Sequence, residues 1–154
     1  MIEPPVIDEI APVSAAVIRL LIPKDQIQVE MGPAYTELMA AVAAQGVGPA
    51  GPWFAVHHRI VPDVWDFEIG VPVTGAVADS GRVTGAEIPA ARVARTTYHG
   101  GYEGLAEGWA EFDAWLAASG HTSDGSLRES YAVGPETTPD PAGWRTQLFR
   151  PLVP

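Results

Sequence analysis

The sequence predicts an α+β protein: tandem duplicated β-α-β-β modules forming one antiparallel sheet, with two main helices and a cleft at the pseudo-two-fold seam. Three observations predict it. Met31, Tyr35, Leu38 and Val42 form one helical stripe, and Leu105, Trp109, Phe112 and Leu116 form a second, 74 residues later throughout. Gly46 and Gly120 close the two stripes at the same offset, as glycines past a helix C-terminus do, and Gly51 and Gly125 share it. Each stripe is preceded by one extended segment and followed by two.

In order, residues 6–22 carry an extended segment whose centre, residues 15–21, is rich in branched side chains. Pro23-Lys24-Asp25 breaks it, and a helix is expected from about Gly32 to Gln45. Residues 53–60 and 64–73 read as strands joined by the turn Val61-Pro62-Asp63. Small and polar residues at 74–86 form a connector. The order then repeats: an extended stretch at 91–98, the turn His99-Gly100-Gly101, the second helix, and strands at 127–133 and 144–151 around a proline-rich loop. Ile10-Ala11-Pro12 resembles Ile88-Pro89-Ala90 before each first strand. Trp65 and Trp144 precede last strands that end at Pro72 and Pro151, both pairs 79 residues apart. The whole of 1–154 is therefore expected to be a single domain, with module one at about 6–73 and module two at about 87–154.

Composition narrows the function. The net charge is −10 with a single lysine, Lys24, so phosphate backbones are repelled and direct nucleic-acid binding is not expected. No apolar run approaches the roughly 20 residues of a membrane span, and no signal segment is present, which gives a cytoplasmic default. The absence of cysteine excludes disulfides and thiolate chemistry. The charge favours cationic ligands, or partners with basic grooves.

Motifs are few. Gly46-Val47-Gly48-Pro49-Ala50-Gly51 satisfies G-x-G-x-x-G but follows a helix and precedes a strand, the reverse of a dinucleotide site. His57 and His58 are adjacent and point to opposite faces, His99 is in a turn, and His121 lies past a helix end, so no metal site is expected. No cofactor is implied. The residue that stands out is Glu129, which shares the apolar face of Leu127, Tyr131 and Val133. A carboxylate there must be paired, protonated or open to a wet cavity; it either reaches solvent from an edge strand or has a chemical role. Matching residues 54–60 to 127–133 at an offset of 73 puts Phe54, Val56, His58 and Ile60 inward and makes His58 the equivalent of Tyr131; an offset of 74 pairs His57 with Tyr131 instead. The first is adopted because it keeps like polarity on each face. Tyr35 and Trp109, at matching helix positions, with Trp53, Trp65, Phe67, Tyr102 and Tyr131, are aromatic where a pocket would use them, though most must be core. A carboxylate among aromatics suits a flat, cationic ligand.

Four stretches carry a family resemblance. Val64-Trp65-Asp66-Phe67-Glu68-Ile69-Gly70-Val71-Pro72-Val73, Ile88-Pro89-Ala90-Ala91-Arg92-Val93-Ala94, Tyr98-His99-Gly100-Gly101-Tyr102-Glu103 and Arg128-Glu129-Ser130-Tyr131 together resemble the GyrI-like small-molecule-binding family. That family includes effector domains of AraC-type activators and drug-sensing domains of MerR-type regulators. Gly101 stands where the family usually has proline. The resemblance implies paired strand-helix-strand-strand modules with a cleft at their junction, and matches Glu129 to the acidic residue that engages cationic drugs there. It also implies a stand-alone member, since no DNA-binding segment precedes Met1. Three functions stay open: a binding protein for an aromatic, cationic, drug- or toxin-like molecule; a hydrolase opening cyclopropanoid rings of DNA-alkylating natural products, with Glu129, Tyr131 and His58 as its acid-base groups; or an inhibitor of DNA gyrase.

Overall fold

The computed structural model describes residues 1–154, the side chain of Gln28 excepted. The chain divides into two compact units, one of Ala11–Ala90 and one of Met1–Ile10 with Ala91–Pro154. The α+β expectation holds: antiparallel strands and two main helices.

In the Ala11–Ala90 unit the elements are β2 (Val13–Pro23), α1 (Ile27–Gln45), β3 (Phe54–Ile60), β4 (Val64–Pro72) and β5 (Thr84–Ile88), preceded in the chain by β1 (Val6–Ile10). Their order across the sheet is β5-β2-β4-β3. The Met1–Ile10 and Ala91–Pro154 unit holds β1 with β6 (Ala91–His99), α2 (Leu105–Ala118), β7 (Leu127–Val133) and β8 (Arg145–Pro151), in the order β1-β6-β8-β7. The two arrangements are the same, position for position, which is what an internal duplication produces.

Their edges carry a feature the sequence reading did not contain. β1 runs directly into β2 yet pairs with β6, from Val6 opposite Arg95 to Ile10 opposite Ala91. β5 runs directly into β6 yet pairs with β2, from Val13 opposite Ile88 to Val17 opposite Thr84. Each β2- or β6-type strand thus takes its edge partner from the segment that leads into the other one. The expected connector at 74–86 contains the start of β5, and the extended stretch at 6–22 is interrupted at Ala11-Pro12. Proline cannot donate to a ladder, so the chain turns there and changes partners.

α1 starts earlier than expected, at Ile27, and runs through Pro33. Proline that near the start removes only its own bond to the preceding turn, and Pro33 is exposed. Ala34, Leu38, Ala41 and Val42 are buried, and the helix lies against β2 and β4. Gly46 ends it with φ 66°, a left-handed conformation that costs glycine nothing. Under the helix, Ile18 faces Ile69 and Leu20 faces Phe67 across the β2–β4 register, all buried. In the other unit Phe112 and Leu116 of α2 pack on Ala94, Tyr98 and Leu148. Among the described residues no helix is long and apolar enough to cross a membrane.

Candidate functional site

The β7–β8 register sets Glu129 opposite Leu148, and Leu148 is fully buried beneath α2. Parity therefore aims the Glu129 carboxylate at the helix side of the sheet. Trp109 lies on α2 one turn before Phe112, so its indole overhangs the same ground. Its Nε1–H donates to Glu129 Oε2 at 2.6 Å. The Tyr131 hydroxyl donates to the other oxygen, Oε1, at 2.8 Å. Burial pushes the Glu129 pKa up, and the two hydrogen bonds from Trp109 and Tyr131 to the charged form hold back part of that rise. Burial and the neighbouring Glu129 carboxylate push Tyr131 far up as well, so its phenol stays protonated and donating. The Arg150 guanidinium sits 5.1 Å from the Trp109 ring but is committed to Asp113 through bonds of 2.9 and 2.8 Å. No cation answers Glu129 among these contacts.

Tyr102, one of the aromatics that the sequence pattern puts near a pocket, completes this cluster. It sits in a short turn of 3₁₀ helix, Tyr102–Gly104, just after Gly100 and Gly101. Its ring meets Tyr131 edge-on at 5.9 Å and tilts against Trp144 at 5.0 Å. Trp144 is itself fixed by a bond from its Nε1 to the Thr138 carbonyl, 2.9 Å. The Tyr102 hydroxyl is buried and has no hydrogen-bond partner among the described residues. Burial, then the carboxylates of Glu136 and Glu129, push its pKa up to about 12. A Cβ at Gly134 would lie 2.9 Å from that hydroxyl, so glycine there keeps the space open. Its solitary hydroxyl depends on the course of the 134–143 loop, which no local pattern reveals.

The Ala11–Ala90 unit holds the remaining expected site residues. Phe67 is fully buried, stacked on His57 at 5.0 Å and 14°. Trp65 meets His57 edge-on at 5.4 Å, and Lys24 Nζ stands 4.5 Å over the Trp65 ring. Tyr35 and Trp53 form a separate edge-on pair at 5.0 Å. His58 corrects the expected register: it is exposed and bonded to Glu68, while His57 is the histidine on the buried face. β3 is in step with β4 up to His57, which faces Phe67, and a bulge follows before Arg59. Phe54 and Val56 do share a face, but they pack with Ala15, Val17 and Ile88, away from Phe67 and Ile69. The offset of 74, which pairs His57 with Tyr131, is the one the structure supports. Burial drives the His57 pKa down to about 4, so it is a neutral imidazole at neutral pH. Glu68 holds His58. Among the described residues no three His, Asp or Glu side chains group as metal ligands.

A family model, the GyrI-like small molecule binding domain, matches residues 3–153. Among curated proteins none matches. Among solved structures, the C-terminal domain of EcmrR is similar over 97% of this chain and 97% of its own, with a TM-score of 0.83 and 22% identity. In the EcmrR–DNA complex the chain spans 57% of the EcmrR chain. A hydrolase from Listeria innocua is similar over 97% of this chain and 91% of its own, TM-score 0.66 and 12% identity. SAV2435 bound to tetraphenylphosphonium is similar over 98% and 94%, TM-score 0.62 and 11% identity. At these identities the likeness is one of fold.

Proposed function

The chain belongs to the GyrI-like small molecule binding domain family, and we propose that it captures an aromatic, cationic small molecule through the Glu129 carboxylate. The observation that carries this reading is a largely buried carboxylate held by two neutral donors, Trp109 and Tyr131, with no cation bonded to it among the described residues. Ionising Glu129 without a counter-charge costs several kcal/mol. A bound cation removes that cost, and its own desolvation is offset by the Tyr102, Tyr131, Trp109 and Trp144 rings. Binding of tetraphenylphosphonium by SAV2435, a protein of the same fold, agrees with this chemistry. Titration of tetraphenylphosphonium and cationic dyes against wild type and Glu129→Gln tests it. Gln can still accept from Trp109 and donate to Tyr131, so the pocket survives without its charge. A loss of at least about tenfold in affinity is expected; equal affinity in both proteins overturns the reading.

A hydrolytic reading is favoured by a different observation, the unpartnered Tyr102 hydroxyl beside Glu129. In opening a carbonyl-conjugated cyclopropane, a water oxygen bonds to the ring carbon and the strained C–C bond breaks. The electron pair moves to the carbonyl oxygen, which takes up a proton. Tyr102 is placed to stabilise that oxygen as a hydrogen-bond donor, and Glu129 to accept the proton that water loses. Of the acid-base groups expected from the sequence, Tyr131 already spends its proton on Glu129 and His58 is bonded to Glu68. Incubating a cyclopropanoid substrate with catalytic amounts of protein and measuring the water adduct by mass separates turnover from capture. Retention of one equivalent without adduct supports binding alone.

A further inference from the structure

The Ala11–Ala90 unit contains polar atoms that the Glu129 cluster does not use. His57 Nδ1 and Trp65 Nε1 are both buried and have no hydrogen-bond partner among the described residues. They belong to rings in direct contact, 5.4 Å between centroids. A buried polar atom left unpaired costs about 1–3 kcal/mol, and two on touching rings call for a shared partner. The indole N–H can only donate, so whatever meets it must accept. Charge points the same way. Lys24, the only lysine in the chain, stands over Trp65 and has no carboxylate within ion-pair distance among the described residues. The arginines nearby in the fold are occupied: Arg19 and Arg59 both hold Asp66. Asp66 lies beyond β4's other face and is neutralised by its two arginines.

We propose that this unit carries a second binding site, for an aromatic carboxylate, in which Trp65 Nε1–H and the Nδ1–H tautomer of neutral His57 donate to the carboxylate oxygens and the Lys24 ammonium supplies the counter-charge. A carboxylate presents two acceptor oxygens side by side, which suits two hydrogen-bonding atoms on adjoining rings. The attached ring lies against Trp65, which is partly exposed. The sign of the ligand is opposite to the one Glu129 selects, so this site stands or falls independently of the reading above.

The test uses the whole chain and follows its five indole N–H signals by ¹⁵N NMR, with Trp65 assigned from Trp65→Phe. Benzoate, benzamide and benzylammonium are titrated at neutral pH. Benzoate is expected to move the Trp65 indole signal saturably. Benzamide should bind at least about tenfold more weakly, and Lys24→Gln, a change at the surface, should weaken benzoate by a similar factor. Glu129→Gln should leave benzoate binding unchanged. The proposal is overturned if the Trp65 signal does not respond to millimolar benzoate, as it would not if water alone fills the site. It is equally overturned if all three compounds move the signal alike.

Discussion

Trp109 on α2 and Glu129 on β7 are joined by an indole-to-carboxylate hydrogen bond of 2.6 Å, which ties the helix to the strand. The bond serves the charged form of Glu129. Replacing Trp109 with Phe keeps the ring and removes the donor, so the carboxyl pKa should rise further. Capture of a cation needs the ionised carboxylate, and the pH at which cation affinity falls off should therefore move upward in Trp109→Phe. Affinity measured across acid to neutral pH checks this; an unmoved profile would show that the indole does not sustain the charge.

The two tyrosines of the cluster should respond in opposite ways to loss of their hydroxyls. Tyr131→Phe deprives a buried carboxylate of a donor and should cost about 1–3 kcal/mol of stability. Tyr102→Phe removes a hydroxyl that has no partner among the described residues, and should be neutral or stabilising by up to about 1 kcal/mol. Denaturant unfolding of the two variants provides the comparison.

His57 makes stability depend on pH. Its folded value near 4 lies below the ordinary 6.5 because burial disfavours the imidazolium. The unfolded chain binds the proton first as pH falls, so the contribution is fully present above about 6.5 and is lost between there and 4. Its full size is roughly 3 kcal/mol. His57→Phe should flatten that part of the stability profile, which urea unfolding at several pH values would reveal.

Gly108→Ala sets helix propensity against packing. Alanine gains about 1 kcal/mol in a helix interior. Its Cβ, however, would sit 2.7 Å from Cδ1 of Tyr98, whose hydroxyl is anchored on the Gly101 carbonyl at 2.9 Å. The ring has no easy retreat, and a net loss of about 1–3 kcal/mol is expected in thermal or denaturant unfolding.

The helices and central strands were legible because each carries its own period. Leu38 and Val42, or Phe112 and Leu116, announce a buried stripe wherever the helix ends up, and β7 runs over the residues its alternation marks, Leu127–Val133. The edge strands were not legible. β5 is exposed along most of its length, and β1 alternates weakly, so neither sequence says which neighbour it will pair with. His57 was misplaced in favour of His58 because parity fails across a bulge, although the helix offset of 74 already held the right pairing. Glu129 stood out because a carboxylate on an apolar face is conspicuous in any alternating strand. The donors that hold it were only half visible: Tyr131 is its neighbour on the same face, while Trp109 arrives from twenty residues away.

Capture of a cation by Glu129 as its counter-charge is read most directly from the titration of that residue itself. The carboxyl carbon of Glu129, followed by ¹³C NMR against pH, should report a raised pKa in the free protein. With saturating tetraphenylphosphonium the value should fall by at least about one unit, the equivalent of a tenfold linkage between charge and binding. A Glu129 titration that is unchanged by the bound cation would contradict the account.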